Sequence, residues 1–117
     1  MQQLSTNIKP HFLKLQSNGI IRYATLPEIV YLKADNNSTC LILNDLSMFI
    51  MCQTLHSFET MLENQFYRCH KSYLVNTKYI REINKRNHAV ILTTGEMLPF
   101  SRKKAKALEE KLKIKTA

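Results

Sequence analysis

The 117-residue sequence predicts a mainly β domain with two short helices. Three observations carry this. Runs of about five β-branched and aromatic residues recur with turn residues between them, the pattern of antiparallel strands. Two segments instead space their apolar residues by three and four, as amphipathic helices do. No internal repeat, low-complexity tract or long linker divides the chain, whose length suits one domain.

Residues 1–17 lack clear periodicity and are read as an N-terminal arm or linker remnant, with a short early strand at His11–Leu15; the domain proper is assigned to 18–117. Ile20–Ala24 and Ile29–Lys33 read as strands punctuated by Pro27. Asp35-Asn36-Asn37-Ser38 is a turn by composition, because short polar side chains bond their own backbone there. Thr39–Leu43 and Met48–Cys52 follow as strands, separated by Asn44-Asp45. Met48-Phe49-Ile50-Met51 reads as core, with a partner groove as the alternative. Leu55, Phe58, Met61 and Leu62 share one face of a helix over 55–63, capped by Thr54 or Ser57. Phe66–His70 returns to strand character, and Tyr79–Asn84 and His88–Thr94 form a pair joined at Lys85-Arg86-Asn87. Gly95 marks a turn before a short extended Glu96–Phe100. The last helix runs from Arg102 to Leu112, with Ala105, Leu108 and Leu112 on one face and Ser101 at the N-cap position.

Seventeen Lys and Arg face nine Asp and Glu, a net charge of +8. Residues 1–60 are neutral, so residues 61–117 carry the whole excess. That asymmetry points to a polyanionic partner for the second half, nucleic acid before anionic membrane. No apolar run is long enough for a membrane span, and no secretory leader pattern is visible, which predicts a cytoplasmic protein. Three cysteines without paired spacing fit a reducing compartment.

Two clusters could carry chemistry. Arg102, Lys103, Lys104 and Lys106 crowd the start of the last helix, where the helix dipole disfavours cations. Phosphates lying against those side chains and the free backbone N–H groups explain the arrangement; a merely solvated basic face is the alternative. The second cluster is Arg68-Cys69-His70-Lys71-Ser72-Tyr73. Strand alternation sends Arg68 and His70 to one face and Tyr67 and Cys69 to the other. Lys71-Ser72 then reads as a loop tip able to reach phosphates or base edges, or as a polar turn in which Ser72 or Asn76 bonds its own backbone.

Catalysis is not indicated. With only Gly19 and Gly95, the chain has no glycine-rich phosphate loop. The acids are scattered, Cys69 and His70 point to opposite strand faces, and the histidines and cysteines lack zinc spacing. No enzyme activity, cofactor, metal or small-molecule substrate is expected.

The run Phe66-Tyr67-Arg68-Cys69-His70-Lys71-Ser72-Tyr73-Leu74-Val75-Asn76 closely resembles the signature F-x-R-x-H-[RK]-S-[YF]-[LV]-V-N of the LytTR DNA-binding domain. Ile80-Arg81-Glu82-Ile83 is similar to the strand that follows it, and Thr94 to Arg102 to the family's G-x-x-[LI]-P-[VI]-S-R close. Upstream, Glu28 to Asp35 resembles the family's I-x-Y-[IL]-x-[AS] strand, and Leu55 to Leu62 its short helix. The resemblance spans roughly residues 18–113. It implies short antiparallel sheets side by side, and a bacterial response-regulator output domain of two-component systems. Such a domain binds duplex DNA sequence-specifically through loops in successive major grooves.

Carried over, the reading loops are Asn36–Thr39 with Asn37 and Ser38, then His70-Lys71-Ser72, then Ser101-Arg102; on charge and position, Arg68, Lys103 and Lys104 are expected as phosphate contacts. The resemblance also implies two copies on paired DNA repeats. Lys71 stands where relatives often have Arg or Asn. No cysteine accompanies Gly95-Glu96-Met97, so an intradomain redox pair with Cys69 is not expected. A receiver domain or membrane segment usually precedes such a domain, so the chain is expected to be an excised domain or a stand-alone regulator. The competing reading is a protein-interaction domain using Met48–Met51 or the arm. An RNA-binding β domain is weaker, because Tyr67 and Tyr73 are expected to pack inward.

Overall fold

The computed structural model describes residues 12–62 and 64–112. A hairpin opens it: β1 (Phe12–Ser17) pairs with β2 (Ile20–Thr25) through Asn18-Gly19. Both turn residues have positive φ, 53° and 79°, which an Asn-Gly pair tolerates at little cost. The early strand is therefore longer than the His11–Leu15 expected, and Leu15 is fully buried rather than part of a loose arm. His11 and the rest of residues 1–11 lie outside the described residues.

A five-stranded antiparallel sheet follows. It contains β3 (Ile29–Asp35), β4 (Ser38–Leu43), β5 (Met48–Met51), β6 (Phe66–His70) and β7 (Tyr73–Asn76), in the order β5-β4-β3-β7-β6. Between β5 and β6 lies α1 (Leu55–Met61), whose N-cap Thr54 accepts the Ser57 N–H at 3.2 Å. A three-stranded sheet of β8 (Ile80–Asn84), β9 (Ala89–Leu92) and β10 (Met97–Pro99) precedes α2 (Arg102–Lys111). The family resemblance led to this arrangement of small sheets, and the structure has it.

Two hydrophobic cores are built around the five-stranded sheet. One gathers Leu15, Leu32, Leu41, Phe49, Phe58 and Phe66; the other gathers Val30, Cys69, Val75, Val90, Leu98 and Leu108. Strand β3 feeds both: Ile29 and Leu32 enter the first core, while the register shift between Ile29 and Tyr31 lets the adjacent pair Val30 and Tyr31 serve the second together. The helix faces are as expected at Leu55, Phe58, Leu62 and Leu108, whereas Met61 is 51% exposed. The Ala105 side chain lies outside the described ones.

Strand Met48–Met51 is not uniformly core. Phe49 is buried, while Met48 and Ile50 alternate onto an exposed face and line a groove of about 410 Å³ with Leu46, Tyr31 and Glu96. Strand β7 is absent from the sequence reading. Its polar last residue masks it, yet Asn76 is 1% exposed. The Asn76 amide donates to the carbonyl of Ile29 at 2.9 Å and its oxygen accepts the Lys78 N–H at 3.1 Å, so this side chain bonds backbone.

Candidate nucleic-acid interface

Antiparallel register decides where the three candidate loops end up. Lys33 of β3 lies opposite Tyr73 of β7, which puts the end of β3 beside the start of β7. The Ala34 N–H donates to the carbonyl of Ser72 at 2.9 Å. The β3–β4 turn and the β6–β7 tip therefore occupy the same end of the sheet. Asn36 and Asn37 form that turn, with Asn36 at φ 57°, a left-handed conformation that asparagine accepts more readily than most residues. Both are exposed, and Ser38 is half-buried as it opens β4. Thr39, expected in the same loop, is fully buried inside β4 and donates its hydroxyl to the carbonyl of Gln53 at 2.7 Å.

Strand β6 carries a bulge. Tyr67 pairs with Val75 and His70 with Tyr73, so the ladder steps three residues on β6 against two on β7. As an edge strand with a broken ladder, β6 has main-chain groups to offer elsewhere. The Cys69 carbonyl accepts the Ser101 N–H at 2.9 Å. The Cys69 thiol lies 3.4 Å from the carbonyl of Pro99. These contacts bring the third loop alongside the second. Helix α2 is then held by fully buried Leu108 and by the Tyr67 hydroxyl, which donates to the carbonyl of Lys104 at 3.1 Å. Removing a leucine side chain from water stabilises by about 1.5–3 kcal/mol, so Leu108 supplies most of that anchorage.

The tip itself is tightly constrained. His70 Nδ1 accepts the Ser72 N–H at 3.1 Å, which leaves Nε2 to carry the ring proton. Arg68, expected as a phosphate contact, is instead engaged within the protein. Its Nη1 donates to Glu59 Oε1 on α1 at 2.8 Å. Its Nε lies 3.2 Å from the carbonyls of both His70 and Lys71, and Nη2 also donates to Lys71. Lys71 is exposed and Ser72 half-buried.

At the third loop, Ser101 holds the N-cap position with extended backbone, but its hydroxyl makes no capping bond. Arg102, Lys103 and Lys106 are exposed. Lys104 is half-buried, its ammonium 5.9 Å from the centre of the Tyr67 ring, so it is less free than the expectation of a pure phosphate contact required. Tyr67 and Tyr73 both pack against the second core, in line with the inward orientation expected of them.

Burial pushes the Cys69 thiol up to about 12 and raises Cys40 as well. Neither is activated as a nucleophile. Burial, with a 2.9 Å hydrogen bond to Glu96, lifts the Tyr31 phenol above its ordinary range. None of these groups belongs to the three loops. Sequence reasoning missed Glu59 and Ala34, which hold the tip from other elements; no local motif marks either, since both act across the fold.

Among the described residues no helix is long and apolar enough to cross a membrane. The family model for the LytTr DNA-binding domain matches residues 19–113. The sensory transduction protein LytT of Enterococcus faecalis is 34% identical over 94 residues, which is 77% of this chain and 39% of that protein. An uncharacterized response regulatory protein of Yersinia pestis is 40% identical over 62 residues, 50% of this chain and 26% of that protein. The chain thus spans well under half the length of these relatives. Among solved structures, a LytTr DNA-binding domain from Bacillus cereus superposes with a TM-score of 0.77 at 24% identity, covering 87% of this chain and 96% of that one, a likeness of fold. A backbone bond that sets the Ser-Arg close beside the signature strand, with a family match across almost the whole domain, gives one conclusion: the chain belongs to the LytTR family of DNA-binding domains.

Proposed function

We propose that this chain is the DNA-reading part of a bacterial transcription regulator, and that it works without catalysis. The observation that carries the reading is the convergence of the three loops at one sheet end, tied by the Ala34–Ser72 and Ser101–Cys69 backbone bonds. Lys71 and Arg102 stand exposed there and can donate to guanine O6 and N7 in a major groove. The His70 ring, Ser72, Asn37, Ser38 and Ser101 supply shorter polar groups beside them. Lys103 and Lys106, with Lys104 behind, follow on an α2 start whose Ser101 hydroxyl makes no capping bond, and phosphates suit that place. Bases specify and phosphates position, so affinity comes from the lysines and register from the loops. Two copies on paired repeats fit a domain whose loops cover few bases. Control by an upstream signal, as the names sensory transduction protein and response regulatory protein suggest for the relatives, belongs to the whole protein.

The test is an anisotropy titration against duplex DNA, single strands and RNA at several salt concentrations. Contact with about five phosphates gives a log–log slope of roughly −4 to −5 on duplex. A flat salt dependence would remove DNA as the partner. It would favour the competing reading, a protein contact on the exposed Met48 and Ile50 face.

A further inference from the structure

We infer that Glu59 and Arg68 form a positioning clamp that fixes the β6–β7 tip for base reading, so that Arg68 acts through the tip rather than on DNA. The inference rests on the DNA-binding reading above. Arg68 has only 20% of its side chain exposed. Its guanidinium faces two kinds of partner: the Glu59 carboxylate at 2.8 Å on one side, and the carbonyls of His70 and Lys71 on the other. An arginine presents its donors in a rigid planar fork, so fixing one edge on a carboxylate fixes the direction of the other. Two further groups of the tip are engaged as well. The Ser72 N–H goes to His70 Nδ1, and the Ser72 carbonyl receives Ala34.

The tip backbone is therefore set before DNA arrives. Lys71 is exposed at that tip, with half-buried Ser72 and His70 beside it. Preorganisation of this kind lowers the ordering cost of binding. Helix α1 contributes through Glu59 to a site at which none of its own residues is placed.

The clamp and a direct phosphate contact predict opposite signs. Replacing Glu59 by alanine makes the protein more positive and releases Arg68. If Arg68 is a phosphate contact, binding then strengthens. If it is a clamp, binding to the preferred sequence weakens. The experiment uses the full chain and two duplexes: one enriched by the wild-type chain from a random-sequence pool, and a scrambled duplex of equal composition. Glu59→Ala and Arg68→Ala are expected to lower affinity for the enriched duplex by about ten-fold, with little change on the scrambled one and an unchanged salt slope. Glu59→Gln, which keeps an acceptor for Nη1, restores most of the loss.

Amide hydrogen exchange at Ser72 gives a reading independent of DNA, and should quicken in Glu59→Ala while core amides stay protected. An Arg68→Ala chain that loses both duplexes equally and has its salt slope reduced by about one would make Arg68 a phosphate contact and overturn the clamp. So would a Glu59→Ala chain that binds the enriched duplex as well as wild type or better. A wild-type chain that binds no duplex with salt dependence defeats the DNA reading itself, and with it the clamp, before any variant is compared.

Discussion

The backbone N–H of Ser101 donates to the carbonyl of Cys69 across 2.9 Å, joining the start of α2 to the bulged edge of β6. The Ser101 hydroxyl makes no capping bond, so the backbone rather than the side chain holds the junction. Ser101→Ala is expected to shift stability by less than about 0.5 kcal/mol, as at an ordinary surface position. Ser101→Pro keeps a compatible φ, which is −83° here, but deletes the N–H; it should cost about 1 kcal/mol. Urea unfolding of the two variants decides. A loss of about 1 kcal/mol in Ser101→Ala would restore the capping role that the sequence position suggested.

Arg102 and the lysines after it should divide specificity from general affinity. Arg102→Ala is expected to cost about 1–3 kcal/mol on a preferred duplex and far less on a scrambled one. Lys71→Ala should do the same more weakly, since an ammonium lacks the bidentate fork. Lys103→Ala and Lys106→Ala should weaken both duplexes alike, each reducing the salt slope by about one. Competition binding at fixed salt separates the patterns, and equal losses on both duplexes for Arg102→Ala would reassign it to phosphate.

Cys69 is fully buried with its thiol pushed up to about 12, Cys40 is buried and raised, and Cys52 is exposed. A thiol reacts as thiolate, so iodoacetamide at about pH 8 should label Cys52 alone in the folded protein. All three should label in denaturant. Native labelling of Cys69, read by peptide mass spectrometry, would show that the bulged strand opens on the labelling timescale.

Asn76 is a structural amide in the heart of the family signature. Its partners are the Ile29 carbonyl at 2.9 Å and the Lys78 N–H at 3.1 Å. Asn76→Ala leaves a buried carbonyl unsatisfied and should cost about 1–3 kcal/mol. Thermal unfolding measures it, and an unchanged midpoint would show that water replaces the amide.

Acid should weaken the hairpin end. The Ser47 backbone N–H and hydroxyl, then Arg22, hold Asp45 down at about 2. The Thr25 backbone N–H and hydroxyl lower Glu28, with Arg22 adding to this. Carboxyls depressed in the folded state contribute stability above their unfolded values near 4 and lose it as pH falls. For Asp45 the loss runs from about pH 4 to about pH 2. The urea midpoint should therefore drop across that window, and Asp45→Asn should flatten the drop. A parallel curve for Asp45→Asn would exclude this carboxyl as a contributor.

Much of this molecule is written in local pattern. The short β-branched and aromatic runs at Ile20–Ala24, Ile29–Lys33 and Thr39–Leu43, bounded by turn residues, mark strands, and the three–four spacing of Leu55, Phe58 and Leu62 marks a helix. The run from Phe66 to Asn76 identifies the family, since its constraints sit on consecutive residues. Period alone does not say which face will be covered. Met48 and Ile50 stay exposed beside buried Phe49 because nothing described packs on that side of β5. Asn76 looks like a loop residue, and the family resemblance put Thr39 in a loop, yet both are buried, because pairing in the sheet brings backbone carbonyls to their side chains. Arg68 looks like a free cation until α1 brings Glu59 to its fork, nine positions away along the chain. Composition set the charge and alternation set the faces. The partner of each polar group was decided by antiparallel register and helix docking, which bring together residues that no local pattern links.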